Sequence, residues 1–473
     1  MAATTLALGG SSYELLDLLE NPGGGSGTAV SGPLTSAGGP FVKGTSDTRG
    51  AVLRSGNKRV VNLRSSDPRD GTIENLGIGV DGGTANDNNT TNIFANVSEF
   101  TSIQGALNDT LNIFGNASGA QIFTDEGVIP PNGSSLVNES DSSAGDDLVR
   151  IQGDLSGSEY NSSRSTIYTD DGDDTIRISG NVSDSNIFLG NQNDVLDIRG
   201  NISGSYISTD GSGSTYDDDS NASTPEVPSD DASAGNGNDY VRIGGTAQNT
   251  IIQTYGGNDT VLIGGQFSGT AGAPKNGAIE LGDGLDSLVF NDGALNAQFN
   301  TGIGSDTVNL SGNFVNTSFY LGNDSTASPG DYFSSGRNGS FTNSTISSKN
   351  ASGDTLIFGS GSTFSNSDIF NSSGADSVVF GSGLNFFSSD IRSGGGGDTL
   401  VFGANTTFYN STLDLGSNSS ADQIYFSANN SDLSGLSITG ADTNDTLFIG
   451  STAYAWNGST FINGTAEWSA YSA

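Results

Sequence analysis

A short phrase, Asp-Thr/Ser-Leu/Val/Ile-x-Phe/Ile/Leu-Gly/Ser, recurs along most of this chain and constrains its fold more than any other feature. Clear copies are NDTLNIFG from Asn108, DDTIRISG from Asp173, NDVLDIRG from Asn193, NDYVRIGG from Asn238, NDTVLIGG from Asn258 and LDSLVFND from Leu285. They continue as SDTVNLSG from Ser305, GDTLIFGS from Gly353, ADSVVFGS from Ala375, GDTLVFGA from Gly397, ADQIYFSA from Ala421 and NDTLFIGS from Asn444. The aspartate returns in steps running from 20 residues (Asp174 to Asp194) to 27 (Asp259 to Asp286). A fixed short period of this kind is the mark of stacked repeats, each too small to bury its own apolar face. The steps from Asp194 to Asp239 and from Asp306 to Asp354 are longer. Each holds an inserted surface loop or a degenerate repeat, and we expect surface-loop insertions near 211–233 and 323–340.

Within each copy the apolar residues alternate, as in Leu356 and Phe358, Val378 and Phe380, and Leu400 and Phe402. Period two is a strand signature with one face buried and the other wet. A second alternating segment follows, with Ile187 and Leu189, Ile369, Ile391, or Leu413 and Leu415, and Phe364, Phe386 and Phe408 recur between the two at an interval of 22. Each rung therefore has two firm strands and a short third. The predicted fold is all-β, a parallel β-solenoid with rungs of about 20–27 residues, right-handed by the preference of parallel crossovers. Hairpin turns every 8–12 residues, which an antiparallel sandwich needs, do not fit the fixed order of strand types. The solenoid is expected over residues 76–450, after an N-terminal attachment segment at 1–75 and before a C-terminal cap at 451–473.

Composition narrows the chemistry. The chain of 473 residues has 70 glycines, a formal charge of -37, and neither histidine nor cysteine. That removes Ser-His-Asp and Cys-His nucleophiles, a histidine base, disulfides, and zinc or haem sites of the usual ligand types. An acidic surface disfavours a nucleic-acid partner, whose phosphates it would repel, and no stretch approaches the roughly 20 apolar residues that span a bilayer. The opening MAATTLALGGSSYELLDLLENPGG lacks a basic n-region and a long apolar run, so no classical signal peptide is expected.

The turns before the strong strands carry GNGNDYVR from Gly235, GDGLDSLV from Gly282, GIGSDTVN from Gly302 and GGGGDTLV from Gly394. These resemble the calcium-binding nonapeptide G-x-G-x-D-x-U-x of the RTX, or haemolysin-type, proteins, in which such turns share Ca²⁺ between rungs. The resemblance implies a β-solenoid and makes Asp239, Asp286, Asp306 and Asp398 candidate Ca²⁺ ligands. Here the motif returns once per rung rather than every nine residues, which would place aspartates along one edge only. Stacked carboxylates about 5 Å apart repel by roughly 1 kcal/mol per pair even at water-like dielectric, and calcium would offset that. The alternative is that each aspartate accepts hydrogen bonds from the backbone of its own turn and holds no ion.

At the N-terminal end, residues 1–75 hold Lys43, Arg49, Arg54, Lys58, Arg59, Arg64 and Arg69 of the chain's 16 basic residues. The sequence SSYELLDLLEN predicts a short amphipathic helix, with Ser11 or Ser12 as N-cap, followed by a glycine-rich linker. That helix is either an assembly hook or a lid on the first rung. The final stretch carries both tryptophans, Trp456 and Trp468, and is expected to form an aromatic cap over an otherwise raw sheet edge.

These features predict a non-enzymatic structural or adhesive protein, located in a virion or at the extracellular cell surface. One reading is a phage virion appendage (a tail fibre, spike or capsid decoration), homo-oligomeric, contacting other virion proteins through residues 1–75 and host-surface glycans. The alternative is a secreted RTX-like surface-layer or adhesin protein of a Gram-negative bacterium. A polysaccharide-degrading spike is the enzymatic alternative, but the aspartates lie in repeated turns and no carboxylate pair stands out.

Overall fold

The alternation Asp-Thr-Leu-x-Phe sends every second side chain to one side of an extended backbone, so a rung has a dry face only if another rung lies against it. A computed structural model shows how that face is covered. It describes strands at Thr4–Leu8, Ser11–Leu18 and from Leu53 to Trp468, and side chains between Thr90 and Asn463 apart from 105–107, 125–144, 159–163, 211–236, 273–276, 323–329, 349–351, 417–418, 428–431 and single residues. Every regular element among the described residues is a β-strand. The chain divides into two compact units, Met1–Gly245 and Thr246–Ala473.

Both units are parallel β-solenoids with three strands per rung. In the second unit one rung runs through a leading strand Thr355–Phe358, a middle strand Thr363–Ser365 and a third strand Asp368–Phe370. The next repeats them as Ser377–Phe380, Asn385–Phe387 and Asp390–Arg392. Like strands pair in parallel and in register: Leu356 with Val378, Phe364 with Phe386, Ile369 with Ile391. The Phe364, Phe386 and Phe408 series anticipated from the sequence is the middle-strand column, with rings stacked at 4.9 Å and interplanar angles of 6–7°. A second column from the leading strands, Phe358, Phe380, Phe402 and Phe426, stacks at 4.6–5.1 Å. The two columns meet edge to face, at 84° between Phe380 and Phe386, the arrangement that the ring quadrupole favours.

In the first unit the positions equivalent to the leading-strand phenylalanine column are aliphatic. Ile113, Ile151, Ile178, Ile198 and Ile243 lie in register on successive leading strands and are buried. β-Branched residues suit a strand buried on its inner face.

Three expectations need revision or qualification. Ser11–Leu18 is not a helix but a strand, antiparallel to Thr4–Leu8 and to Val60–Ser65. So short a helix does not sustain itself in water, whereas an adjoining strand satisfies its main-chain groups. Parallel rung pairing already includes Leu53–Ser55 and Val60–Ser65, before residue 76. The stretch 323–340, expected as an insertion, contains the leading strand Tyr332–Ser335, paired with Thr307–Leu310 and Thr355–Phe358, so this long step is a degenerate rung. Its second inward position is Ser335 instead of a large apolar residue, which erased the pattern. The insertion at 211–233 lies outside the described residues; the leading strands flanking it, Val195–Ile198 and Tyr240–Ile243, pair directly.

Parallel order ends at Thr446–Ile449, which pairs antiparallel with Thr452–Trp456, followed by Phe461–Asn463 and Ala466–Trp468. Trp456 meets buried Phe461 edge-on at 5.0 Å. An antiparallel meander replaces the open edge with hairpins.

Because Phe386 is fully buried between two like rings while Phe387 points outward at 39% exposure, neighbouring substitutions should separate cleanly. Phe386→Ala is expected to lower unfolding free energy by about 3–5 kcal/mol, and Phe387→Ala by no more than about 1 kcal/mol, in chemical denaturation.

Candidate functional site

The repeated aspartate occupies the residue before each leading strand and shares the inward parity of the apolar positions, so its side chain enters the wall of the solenoid. In the second unit Asp259, Asp286, Asp306, Asp331, Asp354, Asp376, Asp398, Asp422 and Asp445 are each at most 2% exposed. The backbone N–H of each of the first eight donates to Oδ1 of the next aspartate in this series, at 2.7–2.9 Å. The first unit repeats the arrangement from Asp109 through Asp147, Asp174 and Asp194 to Asp239. The partner is thus the neighbouring rung, not the residue's own turn. At the far end Asp445 closes the series on its turn: its N–H donates to the Asp442 carbonyl, and its Oδ2 accepts from the Asp442 N–H at 2.6 Å.

The residue preceding the aspartate builds a second, outer ladder. Asn193 N–H donates to Asp173 Oδ1 at 3.1 Å, and Asn238 N–H to Asn193 Oδ1 at 2.9 Å. The recurrent Asn/Asp-Asp dipeptide therefore serves two columns, one wet and one dry.

All four candidate calcium ligands, Asp239, Asp286, Asp306 and Asp398, are members of the inner ladder. Asp239 belongs to the ladder of the first unit and Asp286, Asp306 and Asp398 to that of the second, with Oδ1 of each accepting the backbone N–H of the preceding aspartate in its series. Calcium takes six to eight oxygens, and among the described residues no group of three or more acidic side chains converges to hold a metal ion. A calcium ion at any of these positions would have to take most of its oxygens from carbonyls or water.

The glycines of the motif have a different use. Gly302 and Gly304 have φ of +96° and +146°, and a Cβ on them would lie 1.7 Å from the Gly282 carbonyl oxygen and 1.5 Å from that of Gly284. Only glycine permits both the conformation and the approach. The turns then bond rung to rung, Gly284 N–H to the Ile303 carbonyl at 2.7 Å and Ile303 N–H to the Gly282 carbonyl at 2.9 Å. The G-x-G turn is a stacking device.

Charge is what the ladder must manage. Oδ2 of Asp194, Asp286 and Asp376 is buried with no hydrogen-bond partner, and an ionised oxygen there would be left without solvation. Burial, with Asp306 and Asp259 adding repulsion, pushes Asp286 up to about 8 against the backbone hydrogen bond that lowers it. Burial and then Asp174 push Asp194 up to about 10. Asp174, Asp376 and Asp422 are raised to about 7, and Asp239 and Asp398 to about 6, with burial the leading cause throughout. Asp239 is held lower than its neighbours because the Thr209 hydroxyl donates to Oδ2. Near pH 7 the Asp194 and Asp286 carboxyls are therefore mostly protonated, and those of Asp174, Asp376 and Asp422 lie close to their midpoint.

Sequence reasoning missed Asp147 and Asp331. The signal for Asp147 was GDDLVRI, the usual phrase with Leu in place of Thr or Ser; Asp331 sits in GDYFSS, where little of the phrase survives.

No protein-family model matches the chain, and no curated protein sequence matches it. The haemolysin-type resemblance is therefore carried by its four glycine turns alone.

A carboxyl whose folded pKa lies above its ordinary value of 3.8 binds its proton more tightly in the native state, so its stabilisation is complete below about pH 4 and is lost as pH rises through about 6–8. Denaturation midpoints are expected to fall between pH 5 and pH 8. Asp286→Asn, which keeps the Oδ1 acceptor without the charge, should flatten that slope and gain about 1 kcal/mol or more at pH 8, each pKa unit being worth about 1.4 kcal/mol. Calcium or a chelator should leave the midpoint unchanged; a calcium-dependent rise would overturn the proton-bearing ladder.

Proposed function

We propose that this protein is a non-enzymatic structural and adhesive shaft, and specifically a phage virion appendage such as a tail fibre, spike or capsid decoration. The coarser statement rests on the fold, since a β-solenoid suits a structural or adhesive repeat protein. The observation that carries the reading is the inner ladder. The repeated aspartate of the motif, the residue that recurs most regularly and could do chemistry, is spent rung after rung on joining one rung to the next, walled off from any substrate. Support for the virion setting comes from the sequence: an N-terminal segment of different charge character preceding a long repetitive body. In this reading residues 1–75 contact other virion proteins, the solenoid presents its outer faces to the host surface, and the chain works as a homo-oligomer.

The second reading, a secreted surface-layer or adhesin protein, is favoured by the four G-x-G-x-D turns. Immunogold labelling with antibody raised against the solenoid separates the two. Label on purified phage particles is the expected result. Label confined to a lattice on the bacterial envelope would overturn the virion assignment and leave the structural one standing.

A further inference from the structure

In the Thr246–Ala473 unit the corner between the middle and third strands of six successive rungs is turned by one left-handed residue each: Asn296, Asn316, Asn343, Asn366, Ser388 and Asn410, with φ from +48° to +52°. The first four are tied to one another. The Asn316 amide donates to Asn296 Oδ1 at 2.9 Å, Asn343 to Asn316 at 3.2 Å and Asn366 to Asn343 at 3.3 Å. Ser388 interrupts this column. Since Ser411 is in register with Leu436, the residue opposite Asn410 on its other side is Gly435. A side chain is excluded there, because a Cβ on Gly435 would lie 2.1 Å from the Phe408 carbonyl oxygen. Asn410 therefore stands between a serine and a glycine with its carboxamide unused.

The two small residues open a shallow groove of about 350 Å³ lined by Ser388, Asp390, Asn410, Ser411, Thr412, Gly435 and Ser437. Among the described residues the Asp390 carboxylate, the Asn410 amide and the Thr412 and Ser437 hydroxyls make no side-chain hydrogen bond. The Asn296, Asn316, Asn343 and Asn366 amides at the same corner are, by contrast, joined in a column. Beside the groove the outward rings of Phe387 and Tyr409 stack at 4.9 Å and 4°, and are 39% and 50% exposed. The register that puts Gly435 opposite Asn410 puts Ser434 opposite Tyr409, so the ring column ends and among the described residues the outer face of Tyr409 carries no further ring.

We propose that this groove binds an uncharged saccharide chain. Apolar ring edges of a sugar suit the uncovered aromatic face, and adjacent hydroxyls suit a carboxylate and a carboxamide that together accept and donate. An acidic sugar is disfavoured: the Asp390 carboxylate lies in the groove, and the nearby Arg392 guanidinium lies over the Phe370 ring at 4.7 Å. The proposal rests on the adhesive reading and assigns it a place.

The test applies the full chain to an array of neutral and acidic saccharides, with adhesion to host cells measured in parallel. Neutral saccharides should bind, and Tyr409→Ala and Asp390→Asn should each weaken binding about tenfold, as loss of a central contact does. Tyr332→Ala, at another outward position, should not. Tyr409 is half exposed and Asp390→Asn is isosteric, and unchanged circular dichroism confirms that both variants fold. Array binding that survives both substitutions, or binding to acidic saccharides only, overturns the site but not adhesion. No saccharide bound by the wild type while cells are still bound likewise overturns the site alone; loss of both overturns the adhesive reading as well.

Discussion

Parallel, in-register stacking places each residue about 4.8 Å from its own counterpart in the next rung, and the rest of the structure follows from that. Self-proximity rewards residues that attract their own kind and penalises those that repel it. Phenylalanine satisfies the condition by stacking, as in the columns through Phe380 and Phe386. Asparagine satisfies it because a carboxamide both donates and accepts, so that Asn343 can serve Asn316 and receive from Asn366. Serine meets it at the inner corner, where Ser344, Ser367 and Ser389 each donate a backbone N–H to the hydroxyl oxygen of the next serine along.

Aspartate is the case that stacking should forbid. Ionised, the inner column would bring like charges together where water cannot screen them, and the cost at low dielectric exceeds what one backbone hydrogen bond returns. Two features reconcile it with the fold. The acceptor of each carboxyl is fixed by a main-chain N–H from the preceding rung, and burial raises the proton affinity of several members, most of all Asp194 and Asp286, so that like charges need not all be present at once. A net charge of -37 therefore overstates the charge that this surface presents near neutral pH.

Most of the architecture was legible because stacking converts spatial order into sequence period. Alternation at Leu356 and Phe358 identified a strand, and the interval from Phe364 to Phe386 to Phe408 identified a column. Legibility failed where the period was carried by one residue alone. Asp331 begins a complete rung, but with Ser335 inward the alternating pair is reduced to Phe333 alone beside the ladder position. At Ser11–Leu18 the leucine spacing is compatible with either a helix or a strand, and pairing with a distant segment, Val60–Ser65, decides between them. The aspartates were located correctly along the chain, yet spacing cannot tell whether a turn residue faces solvent or the wall. The parity of the following strand could have: Asp398, Leu400 and Phe402 lie on one side.

In the second unit the inner aspartates from Asp286 to Asp422 each give a hydrogen bond in one direction and receive one from the other, and the last, Asp445, is finished by Asp442. A segment copied from one aspartate to the next, such as the 22 residues from Asp376 to Asp398, carries one donor and one acceptor in matching sense. Duplicating it restores every bond that it interrupts, and deleting it does the same. Length is thereby uncoupled from foldability, so recombination between repeats can lengthen or shorten such a gene by whole rungs while selection acts on reach alone.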